Sequence, residues 1–520
     1  MAEQTTSTLA GALLELLRPT NICCGLGAYL AWRVVYALYF SPLRKVPGSL
    51  WSRISILPML IHDLRGTEAD FMLENYAKYG PIFVMEPEKV AVCDPDDCML
   101  ILGSHAFAKD LRYEQVDIIE PNLFLTRDPE LNRQRRRQVG PALSMSGLSR
   151  MEPLILAAGA QQLMKKWTQA IDSAPDSRAR ICYHYDFSLM TFDIISSLGF
   201  GQSHRSLTTG NRQITHWVKS TFTLLFLQMV VPVVKRLPFR RFLAKSLYSN
   251  VGDFIAFGAR AIEQRKQTLA ASVSNDVEKP RDLLQAFIDA EDPESKIRMT
   301  PSQVAAETII SLLAGADTSS NTLSWTLHLL LLHPEYLARA AEEVRKAFAL
   351  GKLISFKEAK EHLPFLEACV YESMRLRPVA GNLPRCIPRG GVVLQKHFIP
   401  GGFACSVSIA AANMNSSTWD APSLFLPERF LGSETSKRRV LTFSAGVRVC
   451  PGKNLAWIEI LTTLANILNN YELELPDDTL FSPERVDASG RPVLMPYNIA
   501  LTCQPRFPER DCNIIISKRK

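Results

Sequence analysis

The chain has 520 residues, 47% of them apolar and 21% charged, with a formal net charge of +7 at pH 7. That apolar share is ample for a buried core and excludes a largely disordered chain, while so modest a charge, with no aromatic-interleaved basic run, gives no footprint for nucleic acid. Eleven cysteines spread without paired spacing argue against a disulfide framework, and their odd number fits a reducing compartment with one functional thiol.

The first element in chain order is apolar. Ile22 to Phe40, as a helix, is about as long as the hydrocarbon core of a bilayer is thick, and it reads as a single membrane anchor. Leu9 to Leu17 is a second apolar patch, ended by Arg18-Pro19 and suited to a membrane surface. Arg33 interrupts the anchor and costs roughly 2.5–3.5 kcal/mol at a bilayer centre unless it snorkels. A cleaved signal peptide and a buried core helix are the rival readings. Arg44-Lys45, close behind the run, argue against export, because positive charge marks the cytosolic side. Pro42 and Pro47-Gly48 then make a stiff exit.

Further on, Asp128 to Val139 reads as a basic helix, in which Arg133, Arg135 and Arg137 form either a solvated face or a docking patch. The strip Phe222, Leu224, Leu225, Phe226, Met229 and Val230 suits a lipophilic ligand as well as it suits ordinary core. Ala271 to Pro280 is polar and reads as a surface loop between long helices. Ser302 to Leu332 is mostly apolar and long enough for a helix crossing the middle of a large domain. Glycine inside a helix costs about 1 kcal/mol against alanine, so Gly315 at its centre predicts a close neighbour. Asp317 and Thr318 follow, an acid beside an alcohol, as a proton path requires. The plainer alternative is a threonine hydroxyl bonded back to the carbonyl one turn earlier.

Glu372 and Arg375 stand at i and i+3, within ion-pair reach on one helix face. The most informative run comes next, Phe443-Ser444-Ala445-Gly446-Val447-Arg448-Val449-Cys450-Pro451-Gly452, just ahead of the apolar stretch Leu455 to Leu468. A cysteine at a helix start meets unpaired N–H groups and the positive end of the dipole, which lower its pKa. Pro451 suits the first helical position and has no N–H, so Gly452 and Lys453 are the nearest donors to the sulfur. Gly446 permits a positive φ, Gly452 a close backbone approach, Phe443 a ring beside the sulfur, and Arg448 a partner for a carboxylate.

The spacing F-x-x-G-x-R-x-C-x-G, with Ala456 beyond it, resembles the heme-binding signature of the cytochrome P-450 family of heme-thiolate monooxygenases. Ala314 to Ser319 is similar to that family's oxygen-activation motif. The resemblance implies a mainly α fold, a large helical domain around heme with small β-sheets, here behind an N-terminal membrane helix. It implies heme b with its iron ligated by Cys450, Phe443, Gly446, Arg448 and Gly452 as cofactor-binding residues, and Arg136 and Arg385 as further propionate contacts. Asp317 and Thr318 become the catalytic pair. Glu372, Arg375 and Arg429, the last in Pro427-Glu428-Arg429-Phe430, become a structural network supporting heme insertion. Asn132 departs from the pattern, since the family has an aromatic residue or histidine four positions before the arginine matched by Arg136.

Because the motifs from Asp128 to Gly452 run in one family order, the expected layout is an N-terminal segment 1–41, anchored at about 22–40, and one catalytic domain, 42–520. The expected setting is the endoplasmic reticulum membrane, crossed once, with the catalytic domain cytosolic. Lys437-Arg438-Arg439 and Lys453 then offer a basic patch to an acidic electron donor, an NADPH-cytochrome P-450 reductase with cytochrome b5 as a second donor. Family analogy places Phe107 to Phe124, Phe222 to Val230, Ser311 to Thr318, Val379 to Leu383 and Asp487 to Leu494 around a lipophilic substrate. Leu198-Gly199-Phe200-Gly201 and Ile399-Pro400-Gly401-Gly402 are most similar to fungal microsomal members, many of which tailor secondary metabolites such as terpenoids, polyketides and alkaloids. Fatty-acid, aromatic-acid or xenobiotic oxidation, a heme-thiolate rearrangement and, last, a heme sensor are the alternatives.

Overall fold

A computed structural model describes residues 18–116, 119–201, 204–236, 242, 244–272 and 282–520. Leu9 to Leu17 lies outside these residues, as does most of Ala271 to Pro280, whose first two residues end a helix. The N-terminal helix α1 (Pro19–Val35) starts on a proline and continues as a π-helical stretch, Tyr36–Phe40. No residue of α1 is buried, which excludes a core helix, and Pro19–Phe40 is long and apolar enough to cross a bilayer. Arg33 does not simply interrupt the apolar run, for its Nε donates to Ile54 O at 3.2 Å and ties α1 to the next helix.

Two long helices cross at the centre. The helix α6 (Pro301–Leu331) starts at a capping box, in which Thr300 Oγ1 accepts from Gln303 N and the Gln303 side chain accepts from Thr300 N. Its C-terminal half, including Leu323, Trp325, Leu327 and Leu330, is buried, each such side chain worth about 1.5–3 kcal/mol of removed apolar area. Across it lies α3 (Tyr183–Phe200), and the two meet closely at Gly315. A Cβ there would stand 3.0 Å from Ile195 Cγ1 and 3.1 Å from Cδ1. Thr191 Oγ1 donates to Ala316 O at 2.6 Å beside this contact. The close neighbour that Gly315 predicts is therefore Ile195.

Four further helices frame this pair: α2 (Pro129–Leu143), capped by Asp128; α4 (Gln213–Val230); α5 (Lys245–Ser272); and α7 (Pro364–Leu376). The helix α8 (Lys453–Asn470) follows the thiolate loop and is almost wholly buried. A four-stranded sheet is built from β1 (Ile82–Glu86), β2 (Lys89–Val92), β3 (Asn382–Cys386) and β4 (Ala404–Ser408), in the order β1-β2-β4-β3. Strands β2 and β4 run parallel with Val90 opposite Cys405, and β3 returns antiparallel with Arg385 opposite the same Cys405. A tight hairpin, β5 (Tyr497–Ala500) and β6 (Thr502–Pro505), pairs Ala500 with Thr502 and leaves Leu501 at the tip with φ 71°. The helices are thus dominant and the sheets small, as expected.

Candidate active site

The thiolate loop closes on itself before it enters α8. Cys450 N donates to Phe443 O at 2.8 Å, and Val449 N to Gly446 O at 3.2 Å. Gly446 has φ 61°, and a Cβ on it would lie 2.5 Å from Gly103 Cα and 2.6 Å from Leu102 O. Both the turn and the close approach therefore require glycine. The backbone N–H groups of Gly452 and Lys453 reach the Cys450 sulfur, as the missing donor of Pro451 predicts. Pro451 itself sits earlier than expected, because Gly452 is the N-cap and the helix begins at Lys453. Burial pushes the Cys450 thiol up, against the opposite pull of the Gly452 N–H, Arg136 and Lys453. The expected fall in pKa is corrected accordingly: the helix-start donors act in the predicted direction, but desolvation outweighs them.

Cys450 lines an internal cavity whose wall also includes α6, at Ala314, Gly315 and Thr318. Among the described residues it is the one cysteine on that wall. Arg136, Arg385 and Arg448 line the same space, together with Phe443, Gly452 and the buried Lys109. Arg448 donates to Thr126 O and Arg127 O at 3.0 and 3.2 Å, and Arg136 to Val449 O at 2.7 Å, yet the Nε of each has no partner. Burial, with Arg385 and Arg136 adding like charge, lowers Arg448 to about 10. The same causes hold Lys109 well below the usual lysine range, its Nζ donating to Phe124 O. Buried cations with unmet donors call for an anion, so this cluster would suit the propionates of a heme held by Cys450.

Asp317 and Thr318 divide differently than expected. Thr318 lines the cavity, but its hydroxyl donates to Ala314 O at 2.7 Å, which is the plainer bond. Asp317 does not line the cavity. Its Oδ2 accepts from Asn321 Nδ2 at 3.0 Å and from Thr502 Oγ1 on β6, and burial raises its carboxyl above the usual range. The apolar strip on α4 splits too, with Phe222 and Leu225 on the cavity wall and Leu224, Phe226 and Met229 in the core. Parts of Phe107 to Phe124, Ser311 to Thr318 and Val379 to Leu383 line the cavity as expected, whereas Asp487 to Leu494 does not. Leu501 and Thr502 take that place, because the register of the β5–β6 hairpin decides which residues form its tip.

Three charged lining residues were not singled out by sequence reasoning. Glu307 on α6 is buried, accepts from Leu123 N at 2.9 Å, lies 3.5 Å from Arg135, and is pushed up by burial to about 7. Glu459 on α8 is pushed up to about 8 by burial, and neither carboxyl oxygen has a partner in hydrogen-bonding geometry, although Ser319 offsets part of the shift. A lone acid in an otherwise apolar helix is the signal that would have found Glu459, whereas Glu307 shares α6 with Asp317. Lys109, one lysine in a mixed segment, carries no such signal. Asn132 is fully buried without a side-chain partner and is not on the cavity wall. Arg135 is buried against Glu307 and Gln138 rather than solvated, and Arg137 pairs with Asp292 at 2.5 Å; only Arg133 keeps an exposed side chain.

Behind the loop, Arg375 Nε and Nη2 each reach a Glu372 oxygen at 2.7 Å, and Arg429 Nε reaches Glu372 Oε1 at 3.1 Å. Residues 47–497 match the family model for cytochrome P-450. The chain belongs to the cytochrome P-450 family. It is 41% identical over 494 residues to cytochrome P-450 monooxygenase helB1 of Aspergillus fumigatus, covering 94% of this chain and 84% of that one. It is 37% identical to helB3 of the same organism, covering 94% and 96%, and 28% identical to lcsI of Purpureocillium lilacinum, covering 89% and 92%. A crystal structure of a cytochrome P-450 shares the fold with a TM-score of 0.73 at 20% identity, covering 91% of this chain and 98% of that one. This P-450 is accordingly a monooxygenase, and members of the family bind heme through a cysteine thiolate on the iron.

Proposed function

We propose that the chain is a membrane-anchored P-450 that oxidises a lipophilic small molecule, with Cys450 as the iron ligand. The observation that carries the assignment is the placement of Cys450 and Thr318 on the wall of one cavity, with Arg385 and two arginines, Arg136 and Arg448, whose Nε atoms have no partner. Arg136, Arg385 and Arg448 hold the propionates, Phe443, Gly446 and Gly452 shape the loop, and the Gly452 and Lys453 N–H groups moderate the thiolate. Heme held there would supply the activation of dioxygen, from which one oxygen atom would enter the substrate. The chain's own tasks are orientation, exclusion of water and delivery of protons. Ile195, Phe222, Leu225, Leu383 and Leu501 surround the substrate with apolar surface, which favours a lipophilic molecule. Thr318 stands on the wall of the reacting space, and Asp317 is the acid that resupplies protons.

Residues 1–41 form the segment that anchors the protein in the endoplasmic reticulum membrane, supported by the exposed apolar helix, and 42–520 form the cytosolic catalytic domain. Lys453, Arg438 and Arg439 are exposed and suit an acidic donor, an NADPH-dependent reductase or cytochrome b5, whereas Lys437 is engaged by Glu367 and Glu434. Similarity to fungal monooxygenases supports a tailoring step in secondary metabolism. Lipophilic metabolites incubated with the protein in reductase-containing microsomes test the proposal by mass spectrometry. An NADPH-dependent gain of one oxygen that Cys450→Ser abolishes is the expected result, and conversion without NADPH would point to a rearranging enzyme instead.

A further inference from the structure

Asp317 has no place on the cavity wall, yet its partner does. Thr502 Oγ1 donates to Asp317 Oδ2 at 2.5 Å, and Thr502 lines the cavity with Thr318, Ser319 and Thr322. The hydroxyls of Thr318 and Thr322 are engaged one turn back on their own helix, donating to Ala314 O and Thr318 O at 2.7 and 3.0 Å. Thr502 is different, because its hydroxyl comes from the β5–β6 hairpin and connects the cavity to a carboxyl on α6. Hairpin register fixes this placement: Thr502 pairs with Ala500, and Leu501 occupies the tip.

We propose that Thr502 is the hydroxyl through which Asp317 passes protons into the cavity. Asp317 Oδ2 gives its proton to Thr502 Oγ1 while Thr502 releases its own hydroxyl proton to an acceptor in the cavity. The carboxylate left behind is reprotonated from solvent, and the hydrogen bond reverses its direction. Besides Thr502, the groups that face Asp317 are Asn321 on α6, which donates to Oδ2 at 3.0 Å, and the exposed Lys219 on α4, which favours the ionised form. Burial acts the other way and keeps the acid protonated to higher pH, so that it has a proton to give. The inference rests on Asp317 being the acid of the proton path, and its test separates the two claims.

Holoprotein carrying Thr502→Val, Thr502→Ser or Asp317→Asn is compared with the unaltered chain for NADPH oxidation through a purified flavoprotein reductase, without added substrate, in H2O and D2O. The carbon monoxide difference spectrum confirms that each variant keeps its heme-thiolate centre. Thr502→Val is expected to lower the rate on the order of a hundredfold, the lower end for a positioned proton carrier, and to change the solvent isotope effect, while Thr502→Ser restores both. The C=O stretch of protonated Asp317, identified by its loss in Asp317→Asn, should titrate at higher pH in Thr502→Val, because a hydrogen bond to the carboxylate is gone. If Asp317→Asn alters rate and isotope effect but Thr502→Val alters neither, Thr502 is overturned as carrier while Asp317 stands. An isotope effect unmoved by Asp317→Asn overturns both, and an intact difference spectrum shows that the heme-thiolate assignment survives either way.

Discussion

Arg429 brings its Nε within 3.1 Å of Glu372 Oε1 across 57 residues of chain, while Arg375 takes both oxygens of the same carboxylate. Glu372 and Arg375 are wholly buried, and Arg375 also donates to the carbonyls of Asn413, Pro422 and Leu424. A helical i, i+3 pair in water is worth a few tenths of a kcal/mol. Here removal of one partner would strand a buried charge. Glu372→Ala is therefore expected to cost about 3–5 kcal/mol and to lower heme content, read by denaturant unfolding and by heme absorbance per chain. Arg429→Ala, at the more exposed end of the network, should cost less.

Gly446 stands against the backbone of Gly103 and Leu102 at a positive φ. Neither neighbour is a side-chain end that could swing away. Gly446→Ala must shift the loop, at a cost of roughly 1–3 kcal/mol from overpacking plus the strain of the left-handed region. Because the loop ends on Cys450, the expected sign is loss of the heme-thiolate carbon monoxide spectrum at a temperature where the unaltered protein keeps it. A normal spectrum in Gly446→Ala would contradict the geometry.

The thiolate loop was legible because its demands are local: a turn glycine, a helix-start cysteine and a proline without a donor lie within one short run. The long helix α6 was legible from apolar composition, and the need for a close neighbour from Gly315 alone. What joins Asp317 to Thr502 could not be read, since the two lie 185 residues apart and the pairing depends on hairpin register. Arg135 looked like part of a solvated face because a helix of arginines gives no hint that Glu307 waits on another helix. The cysteine's pKa went wrong in sign for a physical reason: helix-start donors are visible in sequence, whereas the depth of burial is not.

Contact between Gly315 and Ile195 sets a third expectation. Alanine at Gly315 gains about 1 kcal/mol in helix propensity but places a methyl 3.0 Å from Ile195 Cγ1. Ile195 also lines the cavity, so its side chain has room to turn inward. Gly315→Ala should thus change stability by less than about 1 kcal/mol. Combined with Ile195→Ala, it should show a favourable coupling of about 0.5–2 kcal/mol in a double-mutant cycle followed by thermal unfolding. Strict additivity would mean that the two residues do not press on each other.

Glu307 gives a pH dependence whose sign is fixed by burial. The folded protein holds this proton up to about pH 7, while an unfolded glutamate releases it near 4.5. Between those values the native state binds more protons than the unfolded one, so stability falls as pH rises. The contribution is complete below about 4.5 and is lost through about 7, a difference on the order of 3 kcal/mol. Glu307→Gln keeps an acceptor for the Leu123 N–H but has nothing to titrate. Urea midpoints measured across that range should decline less steeply in Glu307→Gln than in the unaltered protein, and identical slopes would show that Arg135, 3.5 Å away, already holds the carboxylate ionised.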